Sequence, residues 1–278
     1  PDPHHPMTPP GDWFDRHAPS DMEIPTTSLD MGADCFEHLR RFRQIHPRDQ
    51  RDWVSPCGSG SNALVQEAIA ATYGMVEMID DAVGRILDHL DRTDQRANTI
   101  IVFTSDHGDM MGDHGLMLKG FMHYRGTLHV PMVISVPGQK PNRTAALASS
   151  IDLGPTLLEI CGIQGYDGIQ GYSLNSLIQD PDASVRESVL IEDDIAPVVA
   201  SLTPIPAKTR TVITDTHRYT RNSKREEQLI DLIADPDECE NHAETDAGAR
   251  ALAIERLTDA LIAADDAARG APVDARYA

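Results

Sequence analysis

Cysteine is scarce in this chain: four residues in 278, at Cys35, Cys57, Cys161 and Cys239. No two stand as a Cys-x-x-Cys pair, which excludes a zinc knuckle and a thioredoxin-type redox motif. Cys161, in an apolar stretch, is expected to be a small core residue. Long apolar runs are missing as well. None reaches the roughly 18 residues that a membrane-crossing helix requires, so no membrane span is encoded. Basic residues are outnumbered, 24 against 44 acidic ones, for a formal charge of −20. That balance excludes nucleic acid as a partner, because phosphate binding needs a basic face. The acidity itself speaks to solubility rather than to fold. There is no internal repeat. Neither a signal peptide nor an initiator methionine opens the chain, which begins Pro1-Asp2-Pro3-His4-His5-Pro6. The expectation is a fragment of a longer protein.

What is present fits an ordinary globular protein, with 40% hydrophobic and 5% aromatic residues. The length accommodates one large α/β domain, or one domain with a smaller appendage. Residues 1–61 are rich in Pro, Gly, Asp and His, and predict long surface loops with a short helix near 35–43. Loops of that length tend to be functional. From Asn62 onward, Val65, Ile69, Tyr73, Val76, Ile79, Val83, Ile86, Leu87 and Leu90 recur at helical spacing and mark one apolar face. A buried strand is predicted at 99–104, and helix followed by apolar strand is half of a crossover unit. Residues 131–136 predict a second core strand and 188–191 a further one. Residues 150–158 predict a helix, with Pro155 in its first turn and Asp152 or Ser150 as cap. Beyond residue 200 the elements shorten. Residues 210–214 and 217–220 alternate like a hairpin around Asp215-Thr216, and 228–232 adds a strand. Residues 247–264 form an amphipathic helix through Leu252, Ile254, Leu257, Leu261 and Ile262. The fold class is therefore α/β. Residues 1–200 form a mostly parallel sheet sandwiched by helices, and 201–278 a small α+β subdomain with an antiparallel sheet and a terminal helix.

The chemistry concentrates where the strand at 99–104 ends. Ser105-Asp106-His107-Gly108 follows it directly, and the carboxyl edge of an open α/β sheet is where ligands bind. Asp106 offers a hard oxygen and His107 a borderline nitrogen, a pair suited to calcium, manganese or zinc. Two ligands are too few for a closed site, so others must come from elsewhere. A glycine-rich loop through Gly112 and Gly115 leads to Leu118-Lys119-Gly120, whose ammonium can pair with a sulfate or phosphate oxygen. His114 and His123 are better read as structural hydrogen-bonders. His4 and His5 lie between stiffening prolines. One of them, held rigidly, can protonate a leaving group or bind an anion; incidental exposure in a Pro-rich loop is the competing reading.

Taken together, these residues resemble the sulfatase family of the alkaline phosphatase superfamily over nearly the whole chain. Asp106-His107-Gly108 through Lys119-Gly120, with Val130-Pro131 downstream, resembles the family's second metal-binding segment and its substrate lysine. Pro3-His4-His5-Pro6 is similar to the Pro-His-x-Pro segment whose first histidine contacts the sulfate, which favours His4. Residues 75–90, with Asp80 and Gly84, are similar to the helix preceding the metal strand. Residues 151–158, 168–174 and 229–241, the last with Asp235-Pro236 and Glu238, resemble three more recurrent stretches. The family's Cys-x-Pro-x-Arg motif, or its serine variant, is absent, since Cys57 is followed by Gly58-Ser59-Gly60 and no other cysteine has that context. The early paired aspartates are absent too. Both normally precede the Pro-His-x-Pro segment.

The resemblance implies an alkaline-phosphatase-like fold and metal-dependent hydrolysis of a sulfate ester by the full-length parent. His4 and Lys119 would be the catalytic and substrate-binding residues, and Asp106 and His107 metal ligands. The cation implied is calcium, with manganese or zinc as alternatives. The formylglycine nucleophile would lie outside this chain, which alone should be inactive. The implied partner is a sulfated small molecule or glycan. Two other functions compete: a phosphonate monoester or phosphodiester hydrolase on the same scaffold, and a non-catalytic, metal-stabilised binding protein.

Overall fold

The longest element of the computed structural model is a helix of 31 residues, Asn62–Arg92. The model describes residues 3–29, 35–44, 61–119, 121–203 and 205–269. Cys57, the Gly58-Ser59-Gly60 that follows it, and Gly120 lie outside these. The chain divides into two units, Pro1–Gly138 and Gln139–Ala278.

In the first unit, a short helix α1 (Glu37–Gln44) matches the one expected near 35–43. The long helix, α2 (Asn62–Arg92), starts at Ser61, whose hydroxyl accepts the Leu64 N–H at 3.3 Å and satisfies one of the open donors of the first turn. Leu64, Val65, Ala68, Ile69, Ala71 and Met75 form its buried stripe. They share one core with Met7, Met117 and Leu118. The predicted apolar face is only half covered: Tyr73, Val76 and Ile86 are 51%, 49% and 62% exposed. The loop at Gly11–Trp13 crosses α2 so closely that a Cβ on Gly74 would lie 2.1 Å from the Trp13 carbonyl oxygen. Tyr73 meets the His17 ring edge-on at 5.5 Å, and Glu77 accepts from Arg16 at 2.8 Å.

Strand β1 (Ile101–Thr104) pairs antiparallel with β2 (Met132–Ser135), placing Phe103 opposite Val133. The connection between them, residues 105–131, carries the short helix α3 (Arg125–Leu128) and a 3-10 turn at Asp113–Gly115. The strand expected to be buried is only partly covered, with Phe103 42% and Val133 57% exposed.

In the second unit, α4 (Leu153–Ile160) follows a tight turn at Ser150–Asp152, with Pro155 in its first turn as expected. Asp152 does not cap α4. Its fully buried carboxylate accepts the Ser149 N–H at 2.7 Å and the Tyr172 N–H at 2.8 Å, and pairs with Arg186. Thr156 donates to the Asp152 carbonyl at 2.6 Å and accepts the Leu174 N–H at 2.8 Å. A Cβ on Gly171 would lie 2.2 Å from the Ile151 carbonyl oxygen. Two stretches that the sequence presents separately, 151–158 and 168–174, are thus one hydrogen-bonded body. Cys161, expected in a core, is exposed. It ends α4, and Gly162 at φ +66° turns the chain away immediately afterwards.

After α5 (Asn175–Gln179), the chain enters a four-stranded antiparallel sheet. Its strands, in spatial as in chain order, are β3 (Val189–Asp194), β4 (Lys208–Ile213), β5 (His217–Asn222) and β6 (Glu227–Asp231). A short helix α6 (Pro197–Leu202) links the first two. The sheet thus begins before residue 201, because β4 needs β3 as its outer hydrogen-bonding neighbour. Terminal helix α7 (Ala247–Arg269) covers one face, where Val212, Tyr219 and Leu229 pack with Ala243, Ala253 and Leu257. Leu252 and Ile262, expected on that face, are 55% and 56% exposed. The opposite face buries polar groups instead. Arg218 is held by Glu238 at 2.5 Å, with Gln228 and Thr220 each at 3.0 Å from its Nη1, and Thr211 bonds Thr220 at 2.7 Å.

Removing one partner of a buried ion pair leaves an uncompensated charge. Asp152→Ala is therefore expected to lose about 3–5 kcal/mol in denaturant unfolding. A second test concerns pH. The hydrogen bond from Arg250 holds the largely buried Glu227 carboxyl below its usual 4.5, against burial. A depressed carboxyl stabilises fully above its unfolded value, and that stability is lost as pH falls through the folded one. The stability advantage of the native chain over Arg250→Ala should thus be largest near neutrality and shrink as pH drops below 4.5.

Candidate active site

Three segments meet in the first unit, each for a stated reason. The turn after β1 is fixed by contact with α3. Gly108 donates its N–H to the Thr127 carbonyl at 2.9 Å, and a Cβ there would lie 2.1 Å from the Gly126 carbonyl oxygen. Only glycine permits that approach. Ser105 Oγ donates to the His107 carbonyl at 2.9 Å, closing the turn. The loop that follows reverses through left-handed Met111 (φ +48°), Gly112 (+96°), His114 (+49°) and Gly115 (+71°). Its ends are tied by Met111 N–H to the Met117 carbonyl at 2.9 Å and Gly112 N–H to the Leu116 carbonyl at 2.7 Å. Asp113 accepts the hydroxyl of Thr27 and the His114 N–H, and the buried His114 stacks on Tyr124 at 4.2 Å. His123 is buried as well, in keeping with a structural part for both histidines. The loop then buries Met117 and Leu118 in the α2 core, and Lys119 emerges half-buried from it. Met7 enters the same core. That anchor holds the Pro3-His4-His5-Pro6 segment close to Lys119.

Asp106 and His107 stand side by side, with Nε2 of His107 3.5 Å from Oδ2 of Asp106. Asp106 is largely exposed, and its Oδ1 accepts the His107 N–H at 2.9 Å. Burial opposes ionisation of Asp106, but that N–H and the His107 ring hold its carboxyl below the usual value. Nδ1 of His107 lies 3.1 Å from the Gly108 carbonyl, an acceptor that places the proton on Nδ1 and leaves Nε2 with its lone pair. This is how a metal-binding histidine is commonly oriented. The two residues fit a hard or borderline divalent cation as adjacent ligands. Among the described residues, no group of three or more His, Cys, Asp or Glu gathers for one metal.

His4 is exposed, donates from Nδ1 to the His5 carbonyl at 2.6 Å, and lies against the His5 ring, centroids 3.9 Å apart and planes tilted by 30°. His5 is half-buried, and burial, then the charges of His4 and Lys119, push its pKa down while Asp109 opposes them. Asp109 is the residue that sequence reasoning missed. Burial raises its carboxyl pKa against the pull of Lys119, His107, His5 and His4. Lys119, His107, His5 and His4 thus all lie near enough to Asp109 to act on its charge, and Asp106 stands beside His107. The sequence signal for Asp109 was its position two residues beyond His107.

Residues 3–163 match the Sulfatase family, and residues 112–264 match the family described as N-sulphoglucosamine sulphohydrolase, C-terminal. The chain belongs to the sulfatase family. An arylsulfatase of Clostridium perfringens (strain 13 / Type A) is 30% identical over 247 residues, which is 86% of this chain and 47% of that protein. The chain thus spans about half the length of this curated relative. Among solved structures, a phosphonate monoester hydrolase from Silicibacter pomeroyi aligns with a TM-score of 0.78 at 24% identity, over 94% of this chain and 53% of that one. A structure in complex with its substrate D-glucosamine-2-N,6-O-disulfate aligns with a TM-score of 0.79 at 18% identity, over 95% and 64%. These likenesses establish the alkaline-phosphatase-like α/β fold. No helix among the described residues is long and apolar enough to cross a membrane.

The closeness of Gly108 to α3 separates two glycines that sequence alone treats alike. Gly108→Ala should collapse the turn and lower both stability and turnover. Gly126→Ala meets nothing nearer than 3.5 Å. In a helix it should be neutral or stabilising by about 0.5–1 kcal/mol. Thermal unfolding of the two variants checks the contrast.

Proposed function

We propose that the full-length protein hydrolyses sulfate esters and that this chain carries the substrate-gripping half of its active site. The observation that carries the reading is the nearness of Lys119, His4, His5 and His107 to one carboxylate, Asp109, just past the end of β1, with Asp106 beside His107. Lys119 and His4 would bind the sulfate oxygens as cationic donors. Positive charge placed where the transition state gathers negative charge is usually the largest catalytic contribution. One of the two would hand a proton to the departing alcohol oxygen. Asp106 and His107 would hold a divalent cation, calcium first, manganese or zinc as alternatives. Such a cation, when bound, supplies Lewis-acid stabilisation of the sulfate oxygens. The formylglycine nucleophile implied by family membership has no counterpart in these 278 residues. The chain by itself is accordingly proposed to be inactive. Residues 1–200 are assigned to the catalytic domain and 201–278 to the C-terminal subdomain, whose sheet takes in β3 from before that boundary. The substrate class is a sulfated small molecule or glycan, in line with the sulfated glucosamine bound by one fold neighbour.

A second reading, phosphonate monoester or phosphodiester hydrolysis, is favoured by the fold likeness to the Silicibacter pomeroyi enzyme. Turnover of 4-nitrophenyl sulfate against phenyl 4-nitrophenylphosphonate by the full-length protein discriminates the two. Preference for the sulfate supports the first reading, and preference for the phosphonate the second. Turnover of neither, with tight binding of a sulfated ligand, would instead support a binding protein.

In the full-length protein, Lys119→Ala is expected to cut kcat by about 100-fold or more, as loss of a charge-stabilising donor does. Its melting temperature should stay close to that of the native protein, because the Lys119 side chain is only half-buried. Unchanged turnover would remove Lys119 from the site.

A further inference from the structure

The turn that carries Asp106 and His107 is held at both polar ends of one peptide unit. The unit joining His107 to Gly108 has its carbonyl taken by the Ser105 hydroxyl at 2.9 Å, and its N–H is given to the Thr127 carbonyl at 2.9 Å. Thr127 is buried at 4% exposure, so that hold comes from a fixed wall. The other comes from one half-buried side chain two residues before His107. A peptide plane caught at both ends cannot rotate freely. The next carbonyl along, that of Gly108, is the group 3.1 Å from Nδ1 of His107, so the ring takes its direction from this plane. The Ser105 hydroxyl also stands 3.4 Å from Oδ1 of Asp106, which already accepts the His107 N–H at 2.9 Å. The atoms offered to a cation, Oδ2 of Asp106 and Nε2 of His107, lie 3.5 Å apart. Ligand distances of about 2.3–2.6 Å let both reach one ion.

We infer that Ser105 is a positioning residue for the metal pair: its hydroxyl, by holding the His107 carbonyl, fixes the peptide plane that orients the His107 ring beside Asp106. This rests on the metal-binding part of the reading above. Ser105 supplies no ligand and touches no substrate; it acts through His107. Loss of an outer partner that orients a metal-binding histidine typically costs about 10–100-fold in metal affinity. Here the ring's own acceptor is a main-chain carbonyl, which no side-chain substitution removes. Control of the ring therefore passes to the hydroxyl that holds the neighbouring peptide. A serine that merely closed a surface turn would contribute to stability alike with and without metal.

The test is calorimetric titration of the chelator-treated full-length protein with calcium chloride, and in parallel with manganese and zinc chloride. It compares the native sequence with Ser105→Ala and Ser105→Thr. Ser105→Ala should bind the cation that the native protein takes up about 10- to 100-fold more weakly. Ser105→Thr keeps the hydroxyl and should bind it close to the native affinity. The melting temperature of the metal-free protein should be the same for Ser105→Ala and the native sequence. A loss of affinity below about threefold in Ser105→Ala, well short of the expected scale, overturns the proposal. So does Ser105→Thr binding as weakly as Ser105→Ala, and so does a metal-free melting temperature that falls while affinity is kept. If Ser105→Ala does not fold, Ser105→Cys, whose thiol is only a weak donor, takes its place. A native protein that binds none of the three cations overturns the metal reading of Asp106 and His107 itself. That outcome is distinct from failure of the Ser105 proposal alone, in which native and variant bind equally well.

Discussion

Everything in the candidate site depends on one shared apolar core. Met7, Met117 and Leu118 are buried against the N-terminal half of α2, and each fully buried side chain of this kind contributes about 1.5–3 kcal/mol. Met7 lies two residues beyond His5, and Leu118 immediately precedes Lys119. Burying these methionines and leucine therefore fixes the polar residues attached to them. Two segments more than 100 residues apart in sequence reach one place because their apolar neighbours leave water together. The close approach of Gly108 to Gly126 brings the third segment, Asp106-His107, into register with them. The polar chemistry is carried on an apolar frame, and the frame tolerates the loop's left-handed residues because burial and backbone hydrogen bonds outweigh their strain.

The second unit is held by a different kind of interaction. Asp152 sits with no exposure at the meeting of three backbone or side-chain donors, and the 151–158 and 168–174 stretches become one body around it. The four-stranded sheet adds a similar device in the Arg218, Glu238, Gln228 and Thr220 network. Buried hydrogen-bonded networks of this kind specify a geometry more than they stabilise it. Apolar burial places the site residues of the first unit; in the second, buried polar groups join an apolar core under α7.

Much of the secondary structure was legible. The helical spacing from residue 62 onward gave α2, the alternation after residue 208 gave the β4–β5 hairpin, and the C-terminal apolar repeat gave α7. Periodicity was less able to say which side of an element is covered. Tyr73, Val76, Leu252 and Ile262 obey the spacing yet face outward, because coverage depends on where neighbouring elements end. Cys161 failed in the same manner: its surroundings are apolar in sequence, and a left-handed glycine places it outside. The start of the antiparallel sheet was misjudged because β3 pairs with a strand 14 residues further on, from Val189 to Ile213 at its extremes, a relation that no local pattern displays.

The candidate site divides along the same line. Sequence by itself supplied the candidate residues, since an Asp-His pair ending an apolar strand, a lysine after a glycine-rich loop and a histidine between prolines are each local patterns with a local physical meaning. It also determined the family. Only the tertiary structure decided that Lys119, His107, His4 and His5 come within reach of one half-buried carboxylate, Asp109. Those facts rest on a long-range apolar core and on the closeness of two backbones, and neither property is carried by any short stretch of residues.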